Sequence, residues 1–302
     1  MAIHGDGTEN ESMVRVSASS HEAETEVYRA AHEVAESTPV VEVGPTGVDS
    51  LSPLVLATHE GETAFIPRCS IEHAQSVVAT LDDGTLPDDA ETVVEHPSNT
   101  ATLPTPQTGP LGIGSRHALA SCGWSVPANI ADYTESRENG LLTEHFMEEP
   151  ETVREYITAS GLRGRGRGDM SADAPIADDW KTVRNATGDP VVVVNGNETD
   201  DHAASDCLLL ESAPLTVLDP ALVAAHALDA TAVAVHVNET ETVARERVEG
   251  AVDALTDATE TGLSVSVVAG PDEYKAGEPT MALEVLEGNH RIEARRGPPS
   301  PE

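Results

Sequence analysis

The stretch Ser160-Gly161-Leu162-Arg163-Gly164-Arg165-Gly166-Arg167-Gly168 alternates glycine with arginine in a chain that holds 17 basic residues against 53 acidic ones. Glycine permits positive φ and close backbone approach, its amides can line a concavity, and guanidinium groups add charge-assisted hydrogen bonds to an anion. The chemistry this suits is phosphate binding. The same run also reads as an ordinary flexible loop, and the residues alone leave both readings open. Two further polar segments, Asn195-Gly196-Asn197-Glu198 and Gly270-Pro271-Asp272-Glu273-Tyr274, follow apolar runs and carry amide, carboxylate and phenol groups. No nucleophile–base pair or metal-ligand spacing competes with them. His202, His226, His236 and His290 are scattered, and each reads as a surface or core histidine.

The elements that must position these groups are legible from periodicity. Residues 191–194 are a continuous run of valine, residues 231–237 and 263–268 are two more apolar runs, and helical patterns at 220–228 and 240–261 lie between them. Buried strands alternating with helices predict an α/β domain with a mainly parallel sheet, and ligands of such sheets bind beyond the carboxyl ends of the strands. Both polar segments stand there. Before the Gly/Arg run, Glu151 and Pro150 mark the start of a helix that carries Val153, Tyr156 and Ile157 on one face.

Nearer the amino terminus, strands at 14–16, 40–43, 54–57 and 63–66 and helices at 21–37 and 71–81 follow in the order strand–helix–strand–strand–strand–helix. That order predicts a small thioredoxin-like α/β domain over residues 13–96, after a disordered tail of residues 1–12. Residues 97–115, rich in proline, threonine and glycine, read as a linker to the second domain, residues 116–302.

Composition narrows the function classes. The net charge is −36 over 302 residues, aromatic residues make up 3%, and Lys181 and Lys275 are the only lysines. Acid spread along the whole length gives a mutually repelling surface that concentrated salt would screen. The profile resembles that of proteins from salt-accumulating haloarchaeal cytoplasm. Neither nucleic acid nor an anionic membrane would be attracted to it. No apolar run approaches the length that spans a bilayer, so the expectation is a cytoplasmic protein that is not integral to a membrane. Cys69, Cys122 and Cys207 are too few and too scattered for a disulfide framework, and read as small buried or half-buried residues.

Four segments together resemble a known family, the flavin-bearing, NADH-oxidising 51 kDa subunit of respiratory complex I and its soluble relatives in hydrogenases and formate dehydrogenases. They are Ser160 to Gly166, preceded by Pro150 to Val153; Asn195-Gly196-Asn197-Glu198 with Asp206, Glu211 and Pro214; Gly270 to Thr280 with Glu287-Gly288; and Arg295 to Pro301. Cys122-Gly123-Trp124-Ser125-Val126-Pro127 with Asp132-Tyr133 is similar to the segment that precedes the flavin domain in relatives with a thioredoxin-like domain. The resemblance implies a Rossmann-like domain in which Gly164, Arg165 and Gly166, with Lys181, cradle the FMN phosphate and the nucleotide. It places Asn195, Asn197, Tyr274 and Gly277 against the cofactor and Glu198 and Glu278 at the reacting centre. Hydride would pass from NADH to FMN, and electrons onward to an iron–sulfur subunit.

This sequence departs from the family at several positions. Arg167, Asp169 and Met170 follow the matched glycines, Asn197 replaces an aspartate, and Pro279 replaces a glutamate. A cluster on cysteine thiolates needs about four of them, so no iron–sulfur cluster is expected in this chain. Two function classes remain open on the sequence: a flavoprotein subunit with NADH dehydrogenase-like oxidoreductase activity, and a non-catalytic paralogue that has lost the cofactor and serves binding or assembly.

Overall fold

Valine at 14 and 16 turns one face of the first strand inward, and the sheet around it grows from that alternation. In the computed structural model the described residues are 12–18, 22–135, 137, 140–146, 149–164, 174–198 and 203–289. They fall into two compact units, one of residues 1–136 with 211–213, the other of residues 137–210 with 214–302.

In the first unit β1 (Met13–Ser17) pairs in parallel with β2 (Val40–Val43) through α1 (Glu22–Val34), and antiparallel with β3 (Val55–His59). β4 (Glu62–Ile66) and β5 (Thr92–Glu95) extend the sheet antiparallel, giving the order β2-β1-β3-β4-β5. The β3–β4 hairpin turns on Glu60 and Gly61, with φ of 48° and 81°. Two successive positive φ values make the turn whose twist matches the flanking strands. The expected order of strands and helices is present, with β5 as an element the alternation did not reveal.

Period-two alternation gives this sheet two apolar faces. Val14, Val16, Val55, Ala57, Ala64 and Ile66 pack with Val27 and Ala31 of α1 and with Val77, Val78 and Leu81 of α2 (Ile71–Asp82). The other face carries Leu54, Leu56 and Phe65, and Leu103, Leu111 and Trp124 cover it. The proline-rich stretch thus contributes two buried leucines to this face, while most of its other residues are exposed. Arg15 fastens it: its guanidinium carbon lies 3.8 Å from the Trp124 ring centroid, and Nε donates to the Trp124 carbonyl at 3.1 Å. Trp124 Nε1 donates in turn to the Thr100 carbonyl at 2.8 Å. Burial pulls the Arg15 guanidinium down to about 10, against the opposing pull of Asp132 and Glu135. At that value it stays charged at neutral pH.

In the second unit β6 (Val191–Gly196), β7 (Ala232–Asn238) and β8 (Ser264–Gly270) form a parallel sheet in that order. α8 (Leu215–Ala227) and α9 (Thr242–Ala258) make the crossovers. β7 is the buried strand. The valine run of β6, expected to be buried on both faces, is only half-buried, with Val191 51% exposed. The reason is position: among the described strands β6 is an edge, and one flank of it has no neighbouring strand.

Shorter helices complete the two units. α3 (Ile130–Glu135) belongs to the first; in the second, α4 (Leu142–Phe146) and α5 (Pro150–Ser160) pack on α8, and α6 (Ile176–Asn185) on α5. α7 (Ser205–Ser212) and α10 (Pro279–Leu286) follow β6 and β8. α5 starts with Pro150 at its first turn and ends at Gly161, whose φ of 63° is the left-handed stop that glycine supplies without strain. The chain is thus α/β, with a mixed sheet in one unit and a parallel sheet in the other. No single helix among the described residues is long and apolar enough to cross a membrane.

Candidate functional site

The carboxyl ends of the three parallel strands bring polar side chains together that lie far apart in sequence. Pairing sets Asn195 of β6 opposite His236 of β7, and Asn238 opposite Gly270 of β8. Asn195 Nδ2 donates to the Gly277 carbonyl at 2.9 Å, and its Oδ1 lies 3.2 Å from His236 Nδ1. Asn197 Nδ2 lies 3.3 Å from His236 Nε2 and 3.5 Å from the Pro271 carbonyl. His236 is fully buried and Asn197 nearly so. A Cβ at Gly270 would overlap His236 Nε2 and crowd Asn197 Nδ2, so glycine there is what admits the imidazole.

Burial lowers the basicity of His236, which favours the neutral ring. One acceptor is left over. Asn197 Oδ1 is buried and has no hydrogen-bond partner among the described residues, a state that costs about 1–3 kcal/mol in a folded protein. An oxygen of that kind is a place for a donor on a ligand. Around the cluster, Asn238 Nδ2 donates to Asp272 Oδ1 at 2.9 Å while its Oδ1 accepts from Thr240 N and Oγ1.

The two carboxylates that the family resemblance assigns to a reacting centre each sit at a helix start. Glu198 Oε2 accepts from the Asp206 amide at 2.8 Å, in the first turn of α7. Glu278 Oε2 accepts from the Met281 amide at 3.3 Å, in the first turn of α10. A carboxylate there satisfies an orphan amide and complements the helix dipole. Gly277 enters the cluster through its carbonyl, and Tyr274 opens the short 3-10 turn that carries it.

Gly164 is half-buried, and its amide donates to the Ala174 carbonyl at 3.0 Å, while the Ile176 amide donates to the Leu162 carbonyl at 2.9 Å. These bonds pair the backbone of residues 162–164, in the Gly/Arg segment, with that of residues 174–176. Arg165 and Gly166, with Arg167, Asp169 and Met170, lie outside the described residues, as does the Arg295 to Pro301 segment. Lys181 is exposed on α6, with no hydrogen bond to the asparagine cluster among the described residues. His236 is the member that spacing gave no reason to select. The one available signal was a histidine inside an otherwise apolar strand run.

Cys69 and Cys122 are buried and Cys207 is half-buried, as their scattered positions suggested. Among the described residues no three His, Cys, Asp or Glu side chains gather as a metal site would need.

Residues 157–301 match the Nuo51 FMN-binding domain family. The chain is 27% identical over 198 residues to the NADP-reducing hydrogenase subunit HndC of Solidesulfovibrio fructosivorans, covering 62% of this chain and 39% of that protein. It is 29% identical over 160 residues to the F subunit of the NADH-quinone oxidoreductase of Rhodobacter capsulatus, covering 49% of this chain and 36% of that one. This chain therefore spans well under half the length of either relative. Among solved structures, a NAD+-reducing [NiFe]-hydrogenase in the H2-reduced state aligns with 94% of this chain and 48% of its own, at 17% identity and a TM-score of 0.48. The matched region contains the asparagine–histidine cluster, the Gly/Arg segment and all three parallel strands. Over residues 157–301, a little under half of its length, this chain is similar to the Nuo51 FMN-binding domain family.

Proposed function

We propose that the chain is a flavoprotein subunit that binds FMN, accepts electrons from a nicotinamide nucleotide and passes them to an iron–sulfur-bearing partner. The observation that carries this reading is the Asn195–His236–Asn197 cluster, which stands at the carboxyl ends of the parallel strands inside the region that matches the family. FMN, when bound, supplies the two-electron chemistry. The chain's own residues bind and orient. Asn195 and Asn197 hold the polar edge of the ring, which fits a buried acceptor that lacks a donor. Gly164, Arg165, Gly166 and Lys181 hold the phosphate, where guanidinium and backbone amides suit its charge. Glu198 and Glu278 border the nicotinamide side while also starting α7 and α10. The first unit, a thioredoxin-like domain in this reading, serves as the partner-facing part of a cytoplasmic assembly.

The test is titration of FMN into the protein in molar KCl, followed by flavin fluorescence and visible absorbance. Saturable one-to-one binding supports the proposal, and bleaching of bound flavin by NADH or NADPH identifies the donor. Absence of binding would favour the non-catalytic paralogue instead.

A further inference from the structure

The orientations within the cluster follow one from another. A backbone carbonyl only accepts, so the Asn195 atom that faces Gly277 is Nδ2. Asn195 must then turn Oδ1 toward His236, and His236 Nδ1 carries the ring proton. In the neutral ring Nε2 is left as a lone-pair acceptor. Asn197 accordingly gives Nδ2 to that nitrogen and to the Pro271 carbonyl, two acceptors for two amide protons. What remains is its carbonyl oxygen, buried and without a partner among the described residues.

A carboxylate at position 197 would accept with either oxygen and need no orienting. An amide has one acceptor, and its use to a ligand depends on which way it is turned. We propose that His236 is a positioning residue that passes the orientation set at Gly277 through Asn195 to Asn197, so that Asn197 offers its carbonyl oxygen to a hydrogen-bond donor on the ligand. The inference rests on the flavin reading above. An oxidised isoalloxazine ring carries a single N–H, at N3, and that is the donor the amide selects.

The experiment compares FMN with its N3-methyl analogue in the wild type, His236→Gln and His236→Leu, by fluorescence titration in molar KCl. It is paired with nitrogen-15 NMR of the histidine rings of the wild type at pH 7.5. Expected are a protonated Nδ1 with an unprotonated Nε2 at His236, and about a tenfold preference for FMN, the scale of one hydrogen bond. His236→Gln keeps an acceptor near the Nε2 position and should retain that preference. His236→Leu should bring it close to parity while binding of the N3-methyl analogue changes little. An Nε2-protonated ring, a wild type that binds both flavins equally, or an undiminished preference in His236→Leu each overturns the proposal. If the leucine variant does not fold, the wild-type preference and the ring nitrogens decide. A wild type that binds neither flavin removes the flavin reading and the ligand half of this proposal together, and the ring-nitrogen shifts still decide the positioning half.

Discussion

The buried carboxylate of Asp219 in α8 holds the start of α4, its two oxygens accepting the amides of Leu142 and Thr143 at 2.8 Å each and the Thr143 hydroxyl at 2.6 Å. Asp219 is fully buried and lies 76 residues from Thr143 in sequence, so a single side chain ties two helices of the second unit. Removing it strands two amide donors. We expect Asp219→Ala to destabilise the protein by about 1–3 kcal/mol, and Asp219→Asn by less because one acceptor survives. Denaturant unfolding checks this, and a loss under about 0.5 kcal/mol, the level of a featureless surface change, would contradict it.

His236 gives a dependence on pH with a definite sign. Burial holds its folded pKa below the unfolded value, so the unfolded chain binds the extra proton first as pH falls. The stabilisation is complete above roughly pH 6.5 and is lost as pH drops through the folded value. The stability advantage of the wild type over His236→Gln should therefore shrink between pH 7.5 and pH 5. A gap that widened toward acid would show that the ring is charged in the native protein.

Thiol reactivity should divide the cysteines. Burial pushes the Cys69 thiol up to about 12 and the Cys122 thiol up to about 11, and the thiolate is the reactive form. Iodoacetamide at pH 8 should modify Cys207 in the native protein and reach the other two only on unfolding. Peptide mass mapping that found Cys69 labelled early would argue against a closed first core.

Arg165 is expected to contact phosphate if FMN binds. Arg165→Ala should weaken FMN by about 1.5 kcal/mol or more, the worth of a charged hydrogen bond and roughly tenfold in affinity. Riboflavin, which lacks the phosphate, should not distinguish the variant from the wild type. Unchanged FMN affinity would take Arg165 out of the site.

Salt should act on the whole chain. With 53 acidic residues against 17 basic ones, screening that shortens from about 10 Å at 0.1 M to about 3 Å at 1 M should relieve much of the surface repulsion. The melting temperature should climb steeply from dilute buffer into molar KCl. A flat curve would mean that repulsion among these carboxylates is not a leading destabilising force.

Much of the fold was legible because its elements obey simple periods. The valine runs of β6 to β8 and the alternation of β1, β3 and β4 carry their own signal. α4 and α6 did not announce themselves: α4 spans five residues held by Asp219, and α6 has no buried residue to set a helical stripe. The site was half legible. Asn195 and Asn197 stand out at the end of an apolar run, whereas His236 reaches them only through strand pairing, 41 and 39 residues away. Register is a property of the sheet, and no local window of sequence contains it.

The layer that Arg15 and Trp124 pin to the first sheet also decides where this chain can be cut. A fragment that stopped at residue 96 would keep every strand of that sheet and yet turn Leu54, Leu56 and Phe65 toward water, since Leu103, Leu111 and Trp124 would be gone. Such a piece would be sticky and short-lived. An amino-terminal piece that keeps those side chains covered has to extend at least through the tryptophan, and a protease that nicked the proline-rich stretch would leave the two sides of the cut joined by that same aromatic plug.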